Sequence, residues 1–316
     1  MKRLTALMLF LCLLFASAAS ADGLATLDGS DTIITPLPRD FSAGHVADPA
    51  NYTENSYADP SLEVTVEHVW VGKARFNVAH VKIADASQLR TALSAPFGKS
   101  KTNKVSVIAK NNNAVLAIGG DYYGNDEGGY VVRQGEVYRK KPFKSRDMLL
   151  IDEMGDFHII IGSDADQLKE LVTGDMDIIN VFNFGPALVI DGELQAMPQK
   201  YNYNITGYEP RTAIGQVGPL EYVLVVVDGG KGREVTCELE DGSKKKSSGC
   251  TVETLAQFMA DQGCTQAYNL DGGNSALMVF GGHNYSQKSV SAERSVTDII
   301  YFATAINFGL DGTEGK

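Results

Sequence analysis

From Leu62 the chain alternates apolar and polar positions through LEVTVEHVWVGKARFNVAHVKIA, with Gly72-Lys73 at the centre. That is the two-residue period of a strand hairpin. The same pattern recurs in YVVRQGEVYR about Gln134-Gly135, in MLLIDEMGDFHIIIG about Gly155, and in FGPALVIDGELQ about Asp191-Gly192. Apolar runs at 114–118, at 222–227 and in the closing SVTDIIYFATAINFG predict further strands. Helical spacing is scarcer. Residues 105–110 suit a short helix, and DADQLKELVTG suits another that leads to Gly174. CTVETLAQFMADQGC is the strongest helix: Thr251 suits the cap, Val252, Leu255, Ala256 and Met259 share a face, and Gly263 suits a left-handed end. The predicted fold class is α+β, a single domain with a large, mostly antiparallel or mixed sheet core and a few packed helices. No internal repeat of fixed period emerges, although Asp-Gly-Gly recurs at 228–230 and 271–273.

The first residues follow a different pattern. MKRLTALMLFLCLLFASAASA has a basic start, an apolar centre and a small-residue end at Ala19-Ser20-Ala21, the three parts of a secretory signal peptide. Its apolar centre is shorter than the roughly 20 residues of a membrane span, so residues 1–21 are expected to be cleaved rather than to anchor. Residues 22–61 are rich in Asp, Pro, Ser, Asn and Gly without periodicity and read as an extended leader draped over a domain at 62–312. No later run is long and apolar enough to span a bilayer. The expectation is a secreted or cell-envelope protein with no stable membrane insertion after cleavage.

Charge narrows the partners. The net charge is −11, and loss of Lys2 and Arg3 with the signal segment makes it two units more negative. An acidic surface argues against nucleic acid, whose affinity rests on Lys and Arg, but it leaves room for a local arginine pocket that takes an anion. Export changes the reading of the cysteines. Cys237 and Cys250 flank the polar loop ELEDGSKKKSSG and are expected to close it as a disulfide, leaving Cys264 a buried thiol; pairing that involves Cys264 is the rival. No cysteine pair has zinc-finger spacing and the histidines are scattered, so no Cys/His metal site and no cofactor is expected.

Three apolar strands end in glycine plus aspartate: Gly119-Gly120-Asp121, Asp228-Gly229-Gly230 and Asp271-Gly272-Gly273. Asp-Gly is a common turn. Three such ends also suit one shared cleft, where glycine lets a ligand approach the backbone and aspartate supplies a carboxylate. Arg211 in EPRTAIG and Arg294 in SAERSVTDIIYF stand where polar loops enter buried strands. There a guanidinium suits either a salt bridge or bidentate binding of a phosphate or carboxylate. Tyr122 and Tyr123 follow Asp121 and suit either the core or a sugar ring. No phosphate-binding GxxxxGK[ST] loop, dinucleotide turn or GxSxG elbow is present.

The ordered series AIGGDYYG, GYVVRQGEVYR, FGPALVIDGEL, PRTAIGQ, LVVVDGG, NLDGGNSALM and ERSVTDIIYF resembles the phosphodiester glycosidase family over roughly residues 62–310. Bacterial members of that family are often described as exopolysaccharide biosynthesis proteins. The resemblance implies hydrolysis of the C1–O bond of a sugar-1-phosphodiester, of the N-acetylglucosamine-1-phosphodiester type, on envelope or extracellular glycans. It implies Asp271, Asp121 and Asp228 as catalytic candidates. Substrate contacts fall to Arg211, Thr212, Gly120, Tyr122, Gly272, Gly273, Ser275, Arg294 and Asp298. The departing phosphate has a second pKa near ~6 and needs little help from an acid, so Arg211 and Arg294 are expected to stabilise its charge and Asp271 to serve as nucleophile or as base for water. Gly119 stands where the family usually has asparagine, and Asn274 where many relatives have glycine. The first departure keeps open a non-catalytic sugar-phosphate or glycan-binding protein; a structural envelope protein that uses the leader as an assembly arm is a third reading.

Overall fold

The computed structural model describes residues 24–311 apart from 100–101, 126, 142, 144 and 174–175. The expected signal segment at 1–21, Gly174 and the expected domain end at 312 therefore lie outside the described residues. The run 222–227 shows how sequence becomes architecture here. In the strand Glu221–Val227, Tyr222, Leu224 and Val226 join one core while Val223, Val225 and Val227 join another. A strand buried on both faces has no polar face to show, so it reads as a continuous apolar run.

That strand lies inside an eight-stranded sheet with the order Ser56–Asp59, Leu62–Val71, Ala74–Ile83, Glu221–Val227, Arg211–Gly218, Gln266–Leu270, Ala187–Ile190, Glu193–Leu194. The expected hairpin about Gly72-Lys73 forms its second and third strands. One face packs on α3, the helix Val252–Asp261, through Val252, Leu255, Ala256 and Met259. The cap is the expected one: the Thr251 hydroxyl accepts from the Thr254 N–H, and Gly263 follows at φ +78°.

The other face packs on two five-stranded sheets. One runs Phe157–Ile160, Met148–Asp152, Ile178–Phe182, Gly129–Arg133, Glu136–Lys141. The second runs His283–Asn284, Met278–Phe280, Leu116–Gly119, Asp298–Phe302, Leu89–Leu93. The largest core cluster joins all three sheets, with Val64, Leu149, Phe157, Ile118, Leu224 and Phe302 among its members. Each small sheet covers its far face with its own helix: α1 (Val105–Asn111) contributes Val105, Ile108 and Ala109, and α2 (Ala165–Thr173) contributes Leu168.

The fold is mostly β with few helices, and the pairings among these strands are antiparallel. The single large sheet expected from the sequence is corrected: among the described residues the strands form these three sheets and two small two-stranded ones. Alternation identifies a strand and its buried faces but not its neighbour, because every two-faced strand carries the same pattern. Residues 24–61 add Ser56–Asp59 to the sheet edge and send Ile34 and Leu37 into the core beside α1. The expected Cys237–Cys250 disulfide is also corrected. Cys237, Cys250 and Cys264 are separate buried thiols, with Cys237 Sγ 3.6 Å from an Asp228 carboxylate oxygen.

Candidate active site

The three sheets meet at one end, and the strand register shows how. Arg211 begins its strand opposite Val227, and Thr212 pairs with Leu270, so Arg211, Asp228 and Asp271 emerge at the same edge of the large sheet. In the neighbouring sheet Gly119 pairs with Ile299, which brings Gly120 and Asp121 beside Asp298. The Asp271 N–H donates to the Gly120 carbonyl at 3.1 Å, linking the two sheets. The third sheet joins through the Asn183 N–H, which donates to Asp121 Oδ2 at 2.8 Å.

Under this junction lies a buried charge cluster. Asp298 accepts the Asp121 N–H on Oδ1 (2.8 Å) and the Arg133 Nε on Oδ2 (2.7 Å). Arg133, fully buried, also donates to the carbonyls of Val132 and Val181, comes within 3.7 Å of Asp121 Oδ2 and stacks over Phe182. Burial raises the Asp298 carboxyl and Asp121 adds to the rise, against the pull of Arg133. Gly120 is glycine for a steric reason: a Cβ there would fall 2.6 Å from Asp298 Oδ1.

Above the junction is a cavity of about 410 Å³ lined by Tyr122, Arg146, Phe184, Asn202, Tyr203, Glu209, Arg211, Lys231, Asn269, Leu270, Asp271, Gly272, Gly273, Asn274 and Arg294. Asp271 is buried in its floor. Burial first, then the charges of Asp121 and Asp298, raise its carboxyl from 3.8 to about 7, while the Ser275 hydroxyl and Arg294 favour the ionised form. Gly272 lets the turn fold back, since a Cβ would meet the Pro210 carbonyl at 2.8 Å, and the Gly273 N–H donates to that same carbonyl.

Four cations line the cavity of a protein with net charge −11. Arg211 is buried and held by three carbonyls, of Cys250, Asn204 and Gly207, with no carboxylate partner among the described residues. Arg294 and Lys231 are exposed, and Arg294 reaches the Tyr122 hydroxyl at 3.4 Å. Aromatic rings share the lining, with Phe184 stacked on Tyr203 at 4.6 Å between centroids. The arrangement supplies cations for a phosphate, rings for a sugar face and one carboxylate poised to take a proton near neutrality.

Of the residues expected from the sequence, Asp271, Gly272, Gly273, Arg211, Arg294 and Tyr122 line the cavity together. Ser275, Gly120, Asp121 and Asp298 lie beneath and support it. The carboxylate of Asp121, a catalytic candidate from the sequence, accepts from the Asn183 and Tyr122 N–H groups and has Arg133 beside it. Asp228, the third carboxylate expected from the sequence, is outside the lining and accepts from Arg75 Nε (2.6 Å), Asn77 Nδ2 (2.9 Å) and the Gln287 N–H (2.8 Å). It ties down the loop that leads to Arg294. Thr212 is buried on the inner face of its strand with Ile214 and Leu270, outside the cavity lining. The strand alternation of RTAIG already separates Arg211 from Thr212 by face. Gly119 also lies off the cavity, where a Cβ would sit 3.1 Å from the Ser275 carbonyl and beside Val105 and Val296.

The sequence reading missed Glu209, Arg146, Lys231, Tyr203, Phe184, Asn269 and the supporting Arg133. Glu209 directly precedes the PRT motif, and Lys231 directly follows the second Asp-Gly-Gly turn. Arg133 offered one signal, a cation at an inward position of an otherwise apolar strand. Among the described residues no group of three or more His, Cys, Asp or Glu side chains is placed to hold a metal ion.

The phosphodiester glycosidase family model matches residues 112–303, more than half of the chain. The chain belongs to the phosphodiester glycosidase family. Its match runs from the end of α1, just before the strand that leads to Gly119-Gly120-Asp121, to just past the strand after Arg294, and so contains every cation and carboxylate of the cavity. Family membership supports a glycosidase-type enzymatic function with a glycan substrate. Among known structures, the fold is similar to that of the zebrafish N-acetylglucosamine-1-phosphodiester alpha-N-acetylglucosaminidase catalytic domain, auto-inhibited by its pro-peptide, with a TM-score of 0.60, 17% identity, and coverage of 83% of this chain and 87% of that one. The SPbeta prophage-derived uncharacterized protein YomE of Bacillus subtilis (strain 168) is 25% identical over 228 residues, 71% of this chain. The chain spans about a third of the length of that relative, 32%.

Proposed function

We propose that this phosphodiester glycosidase hydrolyses the C1–O bond of a sugar-1-phosphodiester of the N-acetylglucosamine type, and that it does so outside the cytoplasm on envelope or extracellular glycans. The observation that carries the reading is the pairing of Asp271, buried with a pKa of about 7, with Arg146, Arg211, Lys231 and Arg294 around one cavity. The similarity to the zebrafish catalytic domain suggests the sugar. The three-part pattern of residues 1–21 suggests the compartment, with 22–61 as leader and 62–312 as the catalytic domain.

In this scheme the sugar packs against Phe184 and Tyr203, and the phosphodiester anion lies among the cations. Asp271 takes a proton from water, whose oxygen bonds to C1. The C1–O bond breaks, and its electron pair leaves with the phosphate. Arg211 and Arg294 stabilise the charge that grows there, a contribution that is large in a partly dry site. The phosphate leaves as a weak base, so no strong general acid is required. The departure at Gly119 that keeps a binding-only protein in view lies outside the cavity, so it removes no lining group.

Hydrolysis of the methyl phosphodiester of N-acetylglucosamine 1-phosphate in ¹⁸O-water tests the reaction. Cleavage at C1 places the label on the sugar. Label on the phosphate would mean P–O cleavage and a phosphodiesterase, and saturable binding without product would mean a binding protein.

A further inference from the structure

Besides Asp271, the described lining of the cavity holds one carboxylate, Glu209, in the company of Arg146, Arg211, Lys231 and Arg294. A half-buried carboxylate among guanidinium groups ordinarily takes one as an ion-pair partner. Among the described residues Glu209 takes none, and its carboxylate makes no hydrogen bond. Arg211 turns instead to the carbonyls of Cys250, Asn204 and Gly207, and Arg294 to the Tyr122 hydroxyl. The backbone beneath Glu209 is fixed. Its N–H donates to the Cys250 carbonyl at 3.2 Å, and the Cys250 N–H donates back at 3.0 Å. Gly249 packs so closely that a Cβ there would come within 2.4 Å of the Glu209 carbonyl carbon. The next residue, Pro210, accepts the Gly273 N–H at 2.8 Å, which keeps Glu209 in register with the Asp271 turn. Asn269 adds a second idle acceptor to the same lining. Its amide nitrogen donates to the Gly185 and Leu270 carbonyls and to the Tyr203 hydroxyl, while its Oδ1 is buried without a partner.

A phosphodiester cannot supply what these acceptors lack. It carries no N–H or O–H, and a carboxylate repels its charge. The donors have to come from the neutral part of the substrate, the sugar, whose hydroxyl groups suit an acceptor-only carboxylate. Glu209 stands two residues before Arg211 on extended chain, so it is roughly 6.5 Å away along the strand and on the same face. Arg211 is then free to hold the phosphate while Glu209 meets the adjoining ring. We propose that Glu209 is a specificity-determining residue: its carboxylate accepts a hydrogen bond from a ring hydroxyl of the sugar being cleaved, and so selects sugars that carry that hydroxyl. The inference rests on the glycosidase reading and adds the residue that reads the sugar. A rigidly held charged acceptor is well suited to the task, because a substrate without the hydroxyl leaves it unpaired inside the closed site.

The test crosses a change in the protein with a change in the substrate. The substrates are the methyl 1-phosphodiester of N-acetylglucosamine and its 3-deoxy, 4-deoxy and 6-deoxy analogues, and the proteins are wild type and Glu209→Ala. Because the Glu209 side chain makes no bond within the protein, its truncation leaves the fold intact. Wild type is expected to lose roughly 10–100-fold in kcat/KM on one of the analogues, the range for a hydrogen bond to a charged group. Glu209→Ala should lose a similar factor on the parent substrate and no longer distinguish it from that analogue, so the two losses do not add. Full wild-type penalties for all three analogues in Glu209→Ala, or a wild type that accepts all three as well as the parent, overturns the role of Glu209 and leaves the glycosidase reading intact. Absence of turnover on every substrate by wild type overturns both.

Discussion

Replacing Asp271 by asparagine removes a charge that the fold holds at a cost. Unfolded, this carboxyl loses its proton near 3.8; folded, it keeps it up to about 7, because burial beside Asp121 and Asp298 disfavours the anion. Between those values the folded chain binds more protons than the unfolded one, so this group lowers stability as pH rises through that window. At about 1.4 kcal/mol for each pH unit, the window is worth on the order of 4 kcal/mol. Asp271→Asn carries no such slope. The stability of the variant relative to wild type is therefore expected to climb by roughly 4 kcal/mol between pH 4 and pH 8, equivalent to roughly 10 °C in Tm for a chain of this size. Urea unfolding of both proteins at several pH values measures it, and the difference between the two curves cancels every other titrating group. Any constant offset from the asparagine's own hydrogen bonds leaves the slope untouched. Parallel curves would refute the claim that Asp271 is held protonated, and a wild type that gained on the variant with rising pH would reverse its sign.

Other expectations follow from the same junction. Arg133→Met strips Asp298 of its buried partner and should cost about 3–5 kcal/mol in denaturant unfolding; adding Asp298→Asn should recover part of that. Gly120→Ala places a methyl 2.6 Å from Asp298 Oδ1 and should destabilise by about 1–3 kcal/mol while slowing turnover, because the Gly120 carbonyl anchors Asp271. Since Asp271 acts when ionised, kcat/KM should rise with pH through about 7; a flat profile from pH 5 to 9 would remove it as the base. Asp228→Asn weakens the anchor on Gln287 and should raise KM more than it lowers kcat, since the loop it frees leads to Arg294.

How legible the protein was depends on the range of each interaction. The helix at Val252–Asp261 was readable because its cap, its apolar face and its glycine stop lie within one short segment. Hairpins were readable for the same reason. Sheet membership was not, because the strands Arg211–Gly218 and Gln266–Leu270 pair across about fifty residues of sequence. The Asp-Gly-Gly turns at 228 and 271 look alike locally, yet one carboxylate is bound by Arg75 and Asn77 from a strand some 150 residues earlier, and the other faces a cavity. Nothing near Asp228 in the chain announces those partners. The cysteines failed similarly: a polar loop between Cys237 and Cys250 suggested closure, but its two ends are buried in different surroundings, one beside Asp228 and the other against α3.

The most direct test of the account is the release of free N-acetylglucosamine from its methyl 1-phosphodiester, measured for wild type and Asp271→Asn side by side. The account predicts turnover by wild type and a loss on the order of a thousandfold or more in a variant that is folded and still binds the substrate. Undiminished release by Asp271→Asn would contradict it, because the cavity would then be working without the carboxylate around which it is built.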